Sequence, residues 1–295
     1  MIELRPPRRD DAPAIAAVAH RFGLADETPA DIESWFDIPS NDLGRDARVA
    51  TVDGAVVGYT DVGDASTGGK ILWLDVRAEG EAAPLLLGWV EGRARELAAD
   101  GAKLKIWSPE GSAEWRALVE SYGYEFDRYS FRMRIDLSHD LPEPEWPEGI
   151  SLRTFERERD ERTVYETHQE TFSEERDFAP DPFDDWTQWS YRTPFDPNLW
   201  FLAEGDGELA GIALCRPRLV GDETVGWINN LGVRKAWRGR GLGRALLLHA
   251  FREFHRRGKR RAGLGVDGDN ATAIRLYERA GMKTEQTLVW YERAV

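Results

Sequence analysis

The stretch VRKAWRGRGLGRALL, residues 233–247, gathers Arg234, Lys235, Arg238, Arg240 and Arg244 around Gly239, Gly241 and Gly243, in a chain of net charge −14. Upstream, GWINNLGV (226–233) is short and partly β-branched, and reads as a strand. Downstream, Leu242, Leu246, Leu247, Ala250, Phe251 and Phe254 recur at helical spacing, and Gly258 supplies a stop. The glycines therefore occupy a strand-to-helix turn. Such a turn leaves backbone N–H groups without partners and sets the positive end of the helix dipole beside them. Glycine lets a ligand approach the backbone, and the basic side chains add charge. That is the chemistry of a phosphate cradle. The alternative is a solvated basic helix start.

Two common nucleotide motifs do not fit. No G-x-x-x-x-G-K-[ST] string occurs, and Gly239-Arg-Gly241-Leu-Gly243-Arg lacks the last glycine of a dinucleotide fingerprint. The letters GLGVDG (263–268) do match that fingerprint, but they follow HRRGKRR rather than an apolar strand. They read more simply as a short strand, AGLGV, that ends in a turn.

The elements that must position these residues occur twice. RVATVDGAVVGYTDV (48–62) and WFLAEGDGELAGIAL (200–214) are each a β-type run, an Asp-Gly turn and a second β-type run. ILWLDV (71–76) parallels GWINNLGV, and ALVESYGYE (117–125) parallels RLYERAGMK (275–283), in the same order. The chain reads as two copies of one fold. SHDLPEPEWPEG (138–149), with three prolines and four acidic residues, reads as the linker.

Composition bounds the rest. With 295 residues, 41% of them apolar, there is material for two ordinary domains. The N-terminus MIELRPPRRDD lacks the apolar run of a signal peptide, and no apolar run reaches membrane-spanning length. A single cysteine, Cys215, excludes an intrachain disulfide framework and a Cys-rich zinc site, and no metal is expected. The expectation is a reduced, cytoplasmic protein. The acidic balance opposes general affinity for nucleic acid or anionic membrane, so the basic run at 256–261 reads as a solvated helix end.

Arg238-x-x-Gly241-x-Gly243, after a strand ending in LGV, resembles the acyl-CoA signature of the GNAT acetyltransferase superfamily. VDGDNATAIRLYERAGM (266–282) resembles that superfamily's following strand, Asn-capped helix and tyrosine. Two copies in one chain resemble the tandem arrangement of mycothiol synthase and its relatives. The resemblance implies an α/β fold: two tandem GNAT-like domains, each a twisted mixed sheet flanked by helices. It places a degenerate copy over 1–137 and the acetyl-CoA-binding copy over 150–295. Leu231, Gly232 and Val233 would bond pantetheine through their backbone. The pyrophosphate would lie on Arg238, Gly239, Arg240, Gly241, Leu242, Gly243 and Arg244. Asn270 would cap the last helix and touch the CoA arm, and Tyr277 would protonate the departing thiolate.

Many relatives carry a glutamate on the strand before the turn, but here Trp227, Ile228, Asn229 and Asn230 stand there. The base is left among Asp222, Glu223, Asp267 and water held by Asn229 and Asn230. In the first copy the turn reads RAEGEAAPLLLGWV (77–90), and Val119 stands in place of Tyr277, so that copy reads as non-catalytic. The acceptor is expected in 172–200, a segment rich in carboxylates and aromatics that suits a small cationic amine. The alternative is an acidic face whose aromatics pack the core. The expected activity is N-acetyl transfer to a primary amine, the alternative an acyl-CoA sensor without turnover. Nothing in the sequence distinguishes a monomer from a homodimer.

Overall fold

The computed structural model describes residues 1–21, 27–38, 41–64, 67–137, 141–192, 194–219 and 222–295. It contains two compact units. One is Met1–Tyr129 with Thr187–Trp189 and Thr287–Val295, and the other is Ser130–Trp186 with Ser190–Gln286. Among the described residues no helix is long and apolar enough to cross a membrane.

The first unit opens with β1 (Ile2–Arg5), α1 (Ala12–Arg21), α2 (Pro29–Phe36) and α3 (Leu43–Asp46). The hairpin β2 (Ala47–Val52) and β3 (Ala55–Gly63) follows, then β4 (Ile71–Ala78), α4 (Ala82–Leu97), β5 (Lys103–Pro109) and α5 (Ala113–Ser121). β6 (Glu125–Asp136) begins in this unit. Successive strands β1 to β4 are antiparallel, while β4 and β5 are parallel, as the intervening α4 requires. Leu86, Leu87, Val90 and Ala94 of α4 pack on Leu72, Leu74, Leu104 and Ile106 in a fully buried core.

The second repeat of the sequence follows the same plan. Its elements are β7 (Ser151–Thr154), α6 (Arg157–Phe172), α7 (Phe183–Tyr191), β8 (Trp200–Gly205), β9 (Glu208–Arg216) and β10 (Val225–Val233). Then come α8 (Leu242–Arg256), β11 (Arg261–Asp267), α9 (Ala271–Arg279) and β12 (Lys283–Ala294). The two expected Asp-Gly turns have one backbone conformation: Asp53 and Gly54 lie at φ 49° and 82°, Asp206 and Gly207 at 53° and 81°. Two positive φ values are what a tight two-residue hairpin demands. The GLGVDG letters fall on the end of β11 and its turn, as a strand reading requires.

The bounds expected from the sequence differ from the compact units. Residues Ser130–Asp136 of β6 run antiparallel to Asp267–Arg261 of β11, inside the second unit. Leu288–Ala294 of β12 runs antiparallel to Pro109–Lys103 of β5, inside the first. Each unit is thus completed by the last strand of the other repeat. Of the expected linker 138–149, residues 138–140 lie outside the described residues. The rest is irregular, yet Leu141 and Trp146 pack on the core beneath α8, and Arg252 donates to the Leu141 carbonyl at 2.9 Å.

Candidate active site

Geometry starts at β10. It runs parallel to β11 from Val225↔Arg261 to Ile228↔Leu264, and there the ladder ends. On its other side, against β9, the register slips between Ile228 and Asn230. A bulge of this kind bends and twists the strand that carries it. From Asn229 onward β10 therefore leaves β11, and a gap opens between two parallel strands. Gly265 on β11 is exposed, and a Cβ there would meet nothing within 4 Å.

The opened end of β10 leads into the basic turn. Lys235–Trp237 form a single 3-10 turn, and Gly239 and Gly241 follow at φ 76° and 89°. Only glycine adopts these angles without strain. The backbone N–H groups from Gly239 to Arg244 find no acceptor among the described residues; the next one, Ala245, donates to the Gly241 carbonyl at 3.0 Å. This is the donor array expected at a helix start that holds an anion. Around it Lys235, Arg238 and Arg240 are exposed and Arg244 is half-buried, while the Leu242 side chain belongs to the core, which leaves only its N–H for a ligand. Arg240 lies over the Trp237 ring at 4.9 Å, and Gly243 lets α8 approach Leu276 of α9.

Tyr277 is buried, 7% exposed, and its hydroxyl has no hydrogen bond among the described residues. Burial, and then the Glu175 charge, push its pKa up to about 12. Asn270 caps α9 as expected, its Oδ1 accepting from the Ala273 N–H at 3.0 Å. Leu231 and Val233 are half-buried, and Gly232 is buried where Thr171 of α6 presses on it.

The segment after α6 ties two parts of the site together. Glu174 pairs with Lys235 at 3.1 Å and with Arg238, while Arg176 pairs with Asp269 at 3.2 Å, in the turn after β11. Glu175, whose surface is exposed while its carboxyl is flanked by protein, is raised by desolvation and then by the Asp267 charge.

Two expectations change, and a third candidate, Asp267, gains a partner. Asp222 and Glu223 precede the start of β10 and pair with Arg261 and Arg218 at 2.8 and 3.0 Å. At about 3.3 Å per residue they stand roughly 20 Å of strand from the opened end, too far to act there. Asp267 accepts the Asp269 N–H at 2.9 Å, which fixes the β11 turn. In 172–200, the rings of Trp186, Tyr191, Phe195 and Trp200 pack with Phe155 into a second core, so for these the packing alternative holds; Thr193 lies outside the described residues.

Sequence reasoning missed His168 of α6. Its Nε2 lies 3.0 Å from the Asn230 amide nitrogen, and its ring stacks on Phe172 at 4.7 Å. Burial lowers its pKa to about 4, so the imidazole is neutral. A signal did exist: Asp160, Val164, Thr167, His168 and Thr171 fall on one helical stripe of an otherwise polar helix.

Known proteins share this arrangement. The model of the Acetyltransferase (GNAT) family matches residues 161–282. A mycothiol acetyltransferase of Amycolatopsis mediterranei is 33% identical over 281 residues, 91% of each chain. Over other relatives of the same name the match spans 63% of their length. A GCN5-related N-acetyltransferase from Sphaerobacter thermophilus is 32% identical, with TM-score 0.80 over 99% of this chain and 95% of that one. A tandem GNAT protein from the clavulanic acid biosynthesis pathway has TM-score 0.72 at 17% identity, over 100% of this chain and 98% of that one, a likeness of fold. The opened strands, the unpartnered turn and the extent of these matches agree: the chain belongs to the GNAT acetyltransferase family, in its tandem form.

Proposed function

We propose that this protein transfers the acetyl group of acetyl-CoA directly to a primary amine of a small, cationic acceptor, and that the second unit alone carries the reaction. The observation that carries the reading is the run of unpartnered N–H groups from Gly239 to Arg244, directly after the strand that parts from β11. Pyrophosphate on that run would lay the pantetheine arm along Leu231, Gly232 and Val233. Backbone N–H groups there would stabilise the oxyanion that forms when the amine attacks the thioester carbon. The C–N bond forms, the C–S bond breaks, and the proton lost by the amine ends on sulfur.

Tyr277 serves this step as a hydrogen-bond donor to sulfur. A phenol with a pKa of about 12 is a weaker acid than a thiol of about 8.5, so complete proton transfer to the thiolate would be uphill. Stabilising the growing charge needs no such transfer.

The first unit has the same parting of strands, since the β4–β5 ladder ends at Leu74↔Ile106. Its turn, however, carries Glu79 and Glu81. Val119 is fully buried, and the Tyr122 hydroxyl is committed to the Pro84 carbonyl at 3.0 Å. We read it as a non-catalytic partner of the fold.

The test is release of free thiol from acetyl-CoA with a panel of primary amines, including the acceptor type for which the mycothiol acetyltransferases are named. Amine-dependent release is expected. Tight CoA binding with no release for any amine would overturn the proposal.

A further inference from the structure

β10 offers no carboxylate to the acceptor amine; it offers Asn229 and Asn230. Asn230 is the first residue after the bulge and lies beyond the last rung shared with β11. It faces α6, as does Gly232 two residues on, which meets Thr171. We infer that His168 is a positioning residue that holds the Asn230 amide so that its carbonyl oxygen receives the acceptor amine. The inference rests on the proposed amine acetylation.

The hydrogen bond itself sets the direction. The Asn230 amide nitrogen can donate to His168 Nε2 only while that nitrogen carries no proton. The ring plane is fixed by Phe172 at 4.7 Å and Trp186 at 5.9 Å. The proton of the neutral ring then sits on Nδ1, which lies 3.3 Å from the Gln169 amide. Gln169 Oε1 is buried without a partner, and turned toward the ring it receives that proton. As they stand, the amide nitrogens of Gln169 and Asn230 both face the ring, which accepts from one only, so one amide is turned. Turning Gln169 gives its buried oxygen a partner and keeps Asn230 donating, whereas turning Asn230 would reverse the chain, and the tautomer of the ring distinguishes the two. With its nitrogen committed, Asn230 keeps Oδ1 on the opposite side, and that oxygen has no partner among the described residues. It can accept an N–H of the amine and leave the nitrogen lone pair aimed elsewhere. A reversed amide would present N–H groups, which would bond the amine's lone pair and withhold it from attack. An amide oxygen is no base, which agrees with the amine proton passing to sulfur.

Kinetics of His168→Phe, His168→Gln, Asn230→Ala and the His168→Phe/Asn230→Ala pair test this, with the best amine of the panel. His168→Phe should lower kcat/KM for the amine on the order of tenfold, one hydrogen bond's worth, with CoA affinity unchanged. His168→Gln places an accepting oxygen near the lost Nε2 and should recover most of that. In the Asn230→Ala background, His168→Phe should cost nothing further. Additive losses, or a glutamine variant no better than the phenylalanine one, would overturn the inference. Nitrogen NMR of the wild-type imidazole needs no variant, and it should find His168 protonated at Nδ1; an Nε2–H tautomer also overturns the inference. A wild type that acetylates no amine sinks this reading together with the proposed function. An active wild type with an unimpaired His168→Phe variant sinks this one alone.

Discussion

Tyr277→Phe keeps the ring and removes the hydroxyl. Because that hydroxyl has no partner among the described residues, the variant loses no bond in the resting protein, and its fold and CoA affinity should be intact. Turnover should fall on the order of 10²- to 10³-fold, the usual cost of deleting one donor to a charge that grows in the transition state. The same substitution has a second, independent signature. Tyr277 ionises near 12 in the folded state against about 10 in the unfolded chain. A raised pKa means that both states hold the proton below pH 10 and the group is neutral to stability there. Above pH 10 only the unfolded chain releases it, so stability falls until the folded pKa is passed. At pH 11 the loss is about 1.4 kcal/mol. The wild type should therefore lose about that much more stability between pH 9 and pH 11 than the phenylalanine variant, read by urea unfolding at each pH. The kinetic assay must be limited by chemistry, which a pre-steady-state burst checks. Near-wild-type turnover would refute the role of the hydroxyl, and identical alkaline stability of the two proteins would refute the buried environment from which that role is argued.

Glu174 occupies two cations of the cradle, so Glu174→Gln should tighten CoA binding about two- to fivefold, the range of an exposed ion pair; unchanged or weaker binding in a calorimetric titration counts against competition for Lys235 and Arg238. The same titration of the wild type should return one CoA per chain, and a clean value of two would make the first unit a binding site after all. Gly232→Ala would set a Cβ 2.9 Å from Thr171 Cβ, and thermal unfolding should show a loss of about 1–3 kcal/mol from this overpacking. An unchanged melting temperature would mean that α6 and β10 can move apart freely.

Local signals carried much of this fold. Asp53-Gly54 and Asp206-Gly207 announced both hairpins because two-residue turns need φ values that few residues tolerate. Gly239 and Gly241 announced the turn for the same reason, and Asn270 announced its helix through its cap bond. What stayed hidden depends on pairing over distance. Nothing in the alternation of β6 or β12 says which sheet receives it, so the true extent of each unit could not be read. His168 was hidden because its meaning comes from Asn230, 62 residues away. The aromatics of 172–200 were ambiguous because a ring that packs a core and a ring that lines a site have the same letter.

The exchanged last strands have a consequence for the nascent chain. Lys103 of β5 pairs with Glu292 of β12 at 2.8 Å, and the two are 189 residues apart. At a synthesis rate of about 5–20 residues per second, roughly 10–40 s separate the appearance of the two partners at the ribosome. Throughout that interval β5 has no β12 to pair with, and Lys105, fully buried in the folded protein beside Asp127 at 2.7 Å, lacks Glu292, which stands 3.3 Å from it. An unpaired edge beside an unfinished ion cluster is a surface on which chains aggregate. Loss of β12 would therefore open the edge of the first unit, not of the repeat whose sequence carries that strand.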